Sequence, residues 1–263
     1  MARRRRSTPG PYLLYLELLR DRIPDASVFP YHLPAVRGLT TLPFHPKVTF
    51  LVGENGTGKS TLLEAVAVAC GLNPEGGSRN FHFATRASHS PLDHCIRLAR
   101  SPAVPGDSYF LRAESFYNVA SEIERLDTDA PHLPRIIDAY GGKSLHEQSH
   151  GESFFSLFTN RFRHHGLYLL DEPEAALSPQ RQLQFLGWLH NYVLQGSQFV
   201  IATHSPIIMA YPEARIYCLD GAGVREVPYT DTEHYKITRG FLNNPQRSLS
   251  VLLAPGPDAA PDA

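Results

Sequence analysis

Residues 53–60 have side chains and a spacing suited to holding phosphate groups. They fit the pattern GxxxxGK[ST] in full, between an apolar strand candidate and an apolar helix candidate. The segment consists of Gly53, Glu54, Asn55, Gly56, Thr57, Gly58, Lys59 and Ser60. Glycines let the backbone wrap closely around phosphates, and the following helix adds the positive end of its dipole. We therefore predict a nucleotide-binding loop here.

Three side chains at the end of this loop have separate predicted roles. Lys59 reaches the β- and γ-phosphates of ATP, and the Ser60 hydroxyl ligates Mg²⁺. Thr61 follows directly and is placed to help hold the α-phosphate. The predicted cofactors are therefore ATP and Mg²⁺.

A pair of acids follows a second apolar run, at 167–170. Asp171 is a candidate to hold Mg²⁺, directly or through water, and Glu172 to activate the attacking water as a general base. The alternative is a pair of acids that only caps a turn at a strand end. The nucleotide-binding loop favours the catalytic interpretation.

Two further polar segments follow predicted elements. His204 comes after the apolar run 199–202, from which it can reach a γ-phosphate, although a lone histidine is more often a surface or core residue. Ser149 and Gly151 lie at the start of an aromatic helix, 154–162. Small residues there can bind an anion through backbone N–H groups, or Ser149 can simply cap the helix.

Strands and helices alternate along the chain, which predicts an α/β fold with a mainly parallel sheet flanked by helices. The predicted strands are 47–52, 109–111, 167–170, 199–202, and a hairpin of 215–219 with 224–227. The predicted helices are 60–70, 119–126, 134–139, 154–162, 179–194 and 233–242, and residues 75–108 are predicted to be loops. Ligands of parallel sheets gather at the carboxyl ends of the strands, so the polar clusters at 53–60, 171–172 and 203–205 should converge.

Composition limits the other possibilities. The 263 residues are 42% hydrophobic with a net charge of −1, so no overall field selects nucleic acid or an anionic membrane. The three cysteines form no CxxC pair, and no apolar run reaches the ~18 residues of a membrane span. We expect a cytoplasmic protein. The arginines at 3–6 can contact nucleic-acid phosphates, but such a run is more often a solvated terminus.

The expected domain organisation is simple. Residues 1–11 are predicted to be a disordered basic segment and 254–263 a disordered tail. Residues 12–253 form one ATPase domain with a helical lobe inserted at about 75–160.

The motifs together resemble those of the ATP-binding cassette (ABC) ATPases. In order they are GENGTGKST, SHGES, LYLLDEPEAALSP and ATHSP, and the resemblance covers about residues 28–227. More closely, the chain resembles small stand-alone predicted ATPases with an ABC-type head, related to the SMC and recombination-repair branch. The segments FHPKVTFLVGENGTGKSTLLEA, FLRAESF and DTEHYKITRGFLNN carry that similarity.

The resemblance implies a P-loop NTPase fold with a small helical lobe and an antiparallel β element. It also implies a head-to-tail homodimer, in which each ATP lies between the loop of one subunit and the signature segment of the other. Ser149 and Gly151 would then act in trans on the γ-phosphate, and His204 would be the switch histidine. Hydrolysis would open the dimer, so that ATP controls assembly. The resemblance implies a role in DNA maintenance or defence, with a DNA or protein partner.

Several positions depart from the family pattern. The first glutamine after the loop is Gln148, so the Q-loop glutamine has no clear equivalent, and Glu114 is the candidate for its position. The adenine-contacting aromatic would be Phe29 or Tyr31. Two alternatives stay open: a nucleotide-binding subunit of a membrane transporter, and a regulatory module that binds ATP without turnover.

Overall fold

The computed structural model describes residues 7–78, 90–148 and 150–254. Its strands are β1 Leu13–Leu18, β2 Thr41–Pro43, β3 Val48–Val52, β4 Gly77–Ser78, β5 Ile96–Arg100, β6 Asp107–Arg112, β7 Gly166–Asp171, β8 Gln198–Ala202, β9 Ala214–Asp220 and β10 Gly223–Glu226. Its helices are α1 Pro34–Arg37, α2 Lys59–Ala69, α3 Phe116–Asp129, α4 His150–Ser156, α5 Pro179–Leu194, α6 Pro206–Met209, α7 Glu233–Asn243 and α8 Pro245–Leu252.

The main sheet has seven strands in the order β10-β9-β3-β8-β7-β6-β4. The five from β9 to β6 are parallel, while β10 and β4 pair antiparallel at the two edges. A second, antiparallel sheet has the order β2-β1-β5. The predicted α/β class, with a mainly parallel sheet and an antiparallel element, is confirmed.

The central strands are buried on both faces, as their unbroken apolar sequences indicate. Alternate side chains enter two different cores, because successive residues of a strand point to opposite faces. Phe50 packs in a core with α3, α4 and α5, whereas Leu51 packs in another with α2 and the antiparallel sheet. Aromatic rings fill much of the first core, and Phe162 stacks on Tyr168 with centroids 4.0 Å apart.

Most predicted elements are confirmed, including the helix over 179–194 with Ser178 as its cap, the strands before each polar cluster, and the hairpin of β9 with β10. The aromatic segment is helical as predicted, although it finishes as a π-helical turn, Leu157–Arg161.

The prediction of loops throughout 75–108 is wrong. Ile96–Arg100 forms β5, which pairs with β1, and the first residues of β6 lie before 109. The short alternation of apolar and charged residues in β5 was masked by the polar composition around it. The helical lobe is correspondingly smaller than 75–160, since its helices and turns run from Phe116 to Arg161.

The disordered N-terminal segment is also predicted too long. Within the predicted 1–11, the Thr8 N–H donates to the Val104 carbonyl at 3.1 Å, and the Gly10 N–H donates to the Gly196 carbonyl at 2.8 Å. These bonds tie residues 7–11 to the domain. The arginines at 3–6 and the tail at 255–263 lie outside the described residues.

One buried amide joins the two sheets. Gln198, at the start of β8, accepts from the N–H groups of Tyr12 and Leu13, both at 2.8 Å. Its amide nitrogen donates to the carbonyls of Leu13 at 2.9 Å and His45 at 3.0 Å. Because its side chain is fully buried, these four bonds satisfy backbone groups that water cannot reach.

We predict that Gln198→Leu lowers the free energy of unfolding by about 3 kcal/mol or more, since each buried polar group left without a partner costs about 1–3 kcal/mol. The matched control is Gln184→Leu on the exposed face of α5, with a change within about 0.5 kcal/mol. Urea unfolding measures both. Equal losses in the two variants would contradict the role given to the Gln198 amide.

Candidate active site

The loop after β3 has a shape that only glycine permits at its first position. Gly53 has φ +147°, and a Cβ there would lie 2.1 Å from the Leu219 carbonyl oxygen of β9. Gly58, at φ +100°, ends the loop, and its Cβ would lie 3.1 Å from Ala35. The backbone therefore turns tightly between two elements before α2 begins at Lys59.

The Lys59 ammonium lies inside this loop. Its Nζ donates to the carbonyls of Gly53 and Glu54, both at 2.8 Å, and the residue is 4% exposed. Burial lowers the pKa of Lys59, while the carboxylates of Glu172 and Asp171 oppose that shift. A positive charge is thus held between the loop and the predicted catalytic acids.

A hydrogen bond joins the two predicted metal ligands. The Ser60 hydroxyl donates to Oδ1 of Asp171 at 2.9 Å, which connects the first turn of α2 to the end of β7. Asp171 is 4% exposed, and burial raises its pKa to about 7, against the Ser60 hydrogen bond and the charge of Arg112. Hydroxyl and carboxylate oxygens are hard ligands, and a cation would offset the cost of burying this carboxylate, so the pair fits Mg²⁺.

Arg112 is a member of the site that the sequence reasoning missed. It ends β6, and its Nη1 lies 2.6 Å from Oε2 of Glu64, whose other oxygen accepts from the Ser90 N–H at 2.9 Å. Its Nε lies 3.9 Å from Oδ2 of Asp171. The guanidinium is therefore held in place beside Asp171. Arg112 lies at the carboxyl end of a strand, where ligands of parallel sheets bind, and that position is the sequence signal that could have identified it.

Glu172 is directed by an unusual backbone conformation. It has φ +50° and ψ +54°, a left-handed geometry that is uncommon outside glycine. Its N–H donates to the Ala202 carbonyl at 2.9 Å, while its side chain stays 41% exposed. The turn after β7 thus presents the carboxylate to the cavity, where a general base must lie.

His204 follows β8 and lies next to Glu172. Its Nε2 is 3.6 Å from Oε1 of Glu172, and its backbone N–H donates to Oε1 of Glu174 at 2.6 Å. Its Nδ1 is 3.0 Å from Nε2 of His234, a residue of α7. Burial, then the charges of Lys59 and His234, lower the pKa of His204 to about 4. The imidazole is therefore neutral at pH 7. No spacing in the sequence indicates that His234 belongs to the site.

A cavity of about 410 Å³ lies against the loop. It is lined by Phe29, Leu33, Asn55, Gly56, Gly58, Lys59, Ser60, Thr61, Glu114 and Glu172. Of the two aromatic candidates, Phe29 lines the cavity and is 58% exposed, whereas Tyr31 is 5% exposed in the core. Glu114, the candidate for the Q-loop position, also lies here, two residues beyond the end of β6.

Only part of the signature segment lies within the described residues. Ser149 lies outside the described residues. Gly151 lies in the first turn of α4, where a Cβ would be 3.1 Å from the Ala176 carbonyl oxygen, and it is not among the residues that line the cavity. One chain therefore brings together the loop, Asp171, Glu172 and His204 through direct contacts, whereas Gly151 contacts the turn after β7.

Two family models match the chain. One is described as an AAA domain and matches residues 30–109. The other is described as "AAA domain, putative AbiEii toxin, Type IV TA system" and matches residues 84–210.

Curated proteins with similar sequences are also ATP-binding proteins. Over 168 residues the chain is 31% identical to the cytochrome c biogenesis ATP-binding export protein CcmA of Rhizobium johnstonii, covering 60% of this chain and 75% of that protein. The chain belongs to the AAA/ABC-type P-loop ATPases. The protein of the same name from Mesorhizobium japonicum is 29% identical over 178 residues, with 63% of this chain and 82% of that protein covered.

The SMC head domain from Thermotoga maritima aligns with 83% of this chain and 99% of its own, at 16% identity and a TM-score of 0.41. The family models and the curated relatives confirm the predicted resemblance to ABC-type P-loop ATPases. Among the helices of the residues described here, none is long and apolar enough to cross a membrane.

We predict that His204 titrates in the nucleotide-free protein with a midpoint of about 4 instead of the ordinary 6.5. Imidazole NMR resonances measure it, and His204→Gln assigns the signal. Because the folded pKa lies below the unfolded one, the unfolded chain binds more protons between these values, and stability falls as the pH falls through that range. His204→Gln should reduce this fall. A midpoint at or above 6.5 would contradict the burial seen here.

Proposed function

We propose that this chain binds ATP with Mg²⁺ in the 410 Å³ cavity and hydrolyses ATP to ADP and phosphate. The observation that supports it most directly is the 2.9 Å bond between Ser60 and Asp171. These two side chains come from motifs far apart in sequence, and they meet beside Lys59 at one edge of the sheet. An ATPase needs this combination of a phosphate-binding cation and paired metal ligands.

The roles follow from charge and placement. The Glu172 carboxylate accepts a proton from the water whose oxygen attacks the γ-phosphorus, as the bond from that phosphorus to the bridging oxygen breaks. The Lys59 ammonium stabilises the negative charge of the phosphate oxygens. Ser60 and Asp171 hold Mg²⁺, whose charge offsets the negative charge of the phosphates when it is bound. His204, neutral at pH 7, donates a hydrogen bond toward the γ-phosphate.

The proposed active form is an ATP-dependent homodimer. One chain supplies the loop, both acids and His204, while Gly151 contacts Ala176 and has no contact with the loop among those described. A second copy, in head-to-tail orientation, would bring Ser149 and Gly151 to the γ-phosphate. ATP would then close the dimer, and hydrolysis would open it.

The cellular role in this proposal is DNA maintenance or defence, with a DNA or protein partner. The second family description, which names a toxin of a Type IV TA system, supports the defence part. A transporter subunit is the second candidate, because the curated relatives are named ATP-binding export proteins. Glu114, in place of the Q-loop glutamine, weighs against that candidate, since the Q-loop couples to the membrane partner in transporters.

The test is the ATPase rate per subunit as a function of protein concentration, without lipid or membrane protein. We predict a rate that rises with concentration, and a loss of at least about a hundredfold in Glu172→Gln, because removal of a general base costs about 10²–10⁴. Mass photometry should then show a Glu172→Gln dimer with ATP but not with ADP.

Glu226→Gln is the matched control, since it makes the same change on the exposed edge strand β10. It should keep the wild-type rate. A rate that does not depend on concentration contradicts the dimer. Turnover found only with a membrane protein that co-purifies from a detergent extract would favour the transporter subunit, and ATP binding without any turnover would favour the regulatory module.

A further inference from the structure

The first turn of α7 is anchored beside His204. Thr232 caps this helix, with its hydroxyl donating to the Tyr229 carbonyl at 2.8 Å and accepting from the Tyr235 N–H at 3.3 Å. The Tyr229 hydroxyl donates to the Pro206 carbonyl at 2.9 Å, which ties this turn to α6. Since α6 starts two residues after His204, the position of His234 relative to His204 is fixed from both sides.

The two imidazoles contact through one pair of nitrogens. Nδ1 of His204 and Nε2 of His234 are 3.0 Å apart, and the ring planes meet at 59°. Burial lowers the pKa of both residues, and the Lys59 charge lowers both further, while Glu233 and Glu54 partly oppose this at His234. Two neutral rings have one proton between the facing nitrogens, so one ring donates and the other accepts.

Either His204 or His234 can donate this hydrogen bond. The surroundings of Nε2, the other ring nitrogen of His204, favour one of the two arrangements. Nε2 of His204 is buried, has no hydrogen-bond partner among the described residues, and lies 3.6 Å from Oε1 of Glu172. If His204 donated through Nδ1, its Nε2 would present a lone pair to this carboxylate oxygen. If His234 donates instead, Nε2 of His204 carries a proton that points toward the carboxylate, which is attractive.

We propose that His234 is a positioning residue, which donates from Nε2 to Nδ1 of His204 and so holds His204 as the Nε2–H tautomer. The proposal rests on the proposed function, because the Nε2–H group is the donor available to Glu172 and to the γ-phosphate. His234 itself need not touch the nucleotide. It acts by fixing which nitrogen of His204 carries the proton, as partners of metal-binding and catalytic histidines do.

The first arm of the test reads the tautomer directly, without nucleotide. Imidazole ¹⁵N chemical shifts at pH 7 should show His204 of the wild type protonated at Nε2. In His234→Phe, which keeps a ring but has no donor, only the Glu172 carboxylate still favours Nε2–H, so the population of the Nδ1–H tautomer of His204 should rise above that of the wild type. In His234→Gln, whose side-chain amide can donate in the same direction, the Nε2–H tautomer should persist.

The second arm reads turnover. We expect kcat of His234→Phe to fall about tenfold or more with KM within about twofold, because the wrong tautomer removes a donor used in the reaction. His234→Gln should recover most of that loss. His190→Phe is the matched control, since the His190 ring likewise has a side-chain partner, the Tyr211 hydroxyl at 3.1 Å, and is not among the residues that line the cavity.

Three results would overturn the proposal: a wild-type His204 protonated at Nδ1, a His204 that stays Nε2–H in His234→Phe, or a His234→Gln as impaired as His234→Phe. The arms also separate the two proposals. If the wild type has no ATPase activity but shows the expected tautomers, the proposed function fails and the positioning by His234 stands. If His234→Phe does not fold, the wild type and His234→Gln still decide the tautomer.

Discussion

The register of four parallel strands is the constraint on which the site depends. Leu51 of β3 pairs with Ala202 of β8, Ala202 with Asp171 of β7, and Asp171 with Arg112 of β6. These four residues therefore lie at one level across the sheet. The loops that follow these strands leave the sheet at the same edge, which is why segments distant in sequence share one cavity. A slip by one residue in any pairing would turn Asp171 or its neighbours to the other face.

Burial sets the charges of this edge. It raises the pKa of Asp171, lowers that of Lys59, and lowers that of His204. Burial makes the charged forms of Asp171 and Lys59 unfavourable, and a ligand of opposite charge could offset this: a cation at Asp171 and a phosphate at Lys59. His204 differs from these two, because it is neutral at pH 7. It can donate a hydrogen bond without adding a second positive charge beside Lys59. These charges fit the proposed binding of a triphosphate with its metal ion.

The sequence predicted those parts that depend on local pattern. The loop at 53–60 needs glycines, and the structure shows why at Gly53: a Cβ there would lie 2.1 Å from a backbone oxygen. The strands before Asp171 and His204 could be predicted because they are apolar runs, and strands buried on both faces of a sheet need apolar side chains. Long-range pairing was beyond such reasoning: β5 is identified by its pairing with β1, and only the ion pair of Arg112 with Glu64 shows how that guanidinium is held. His234 reaches His204 because α7 packs on α6, and no spacing in the sequence encodes that contact.

The central claim is that the loop, Asp171 and His204 surround the phosphates of one ATP, and equilibrium binding of Mg²⁺·ATP tests it most directly. Isothermal titration calorimetry would compare the wild type with Lys59→Met, which keeps most of the length of the side chain and removes its charge. The account predicts that the dissociation constant rises by about tenfold or more, because a hydrogen bond from a charged group contributes about 1.5–3 kcal/mol. If Lys59→Met bound Mg²⁺·ATP as tightly as the wild type, the phosphates would not lie in this loop, and the account would be wrong.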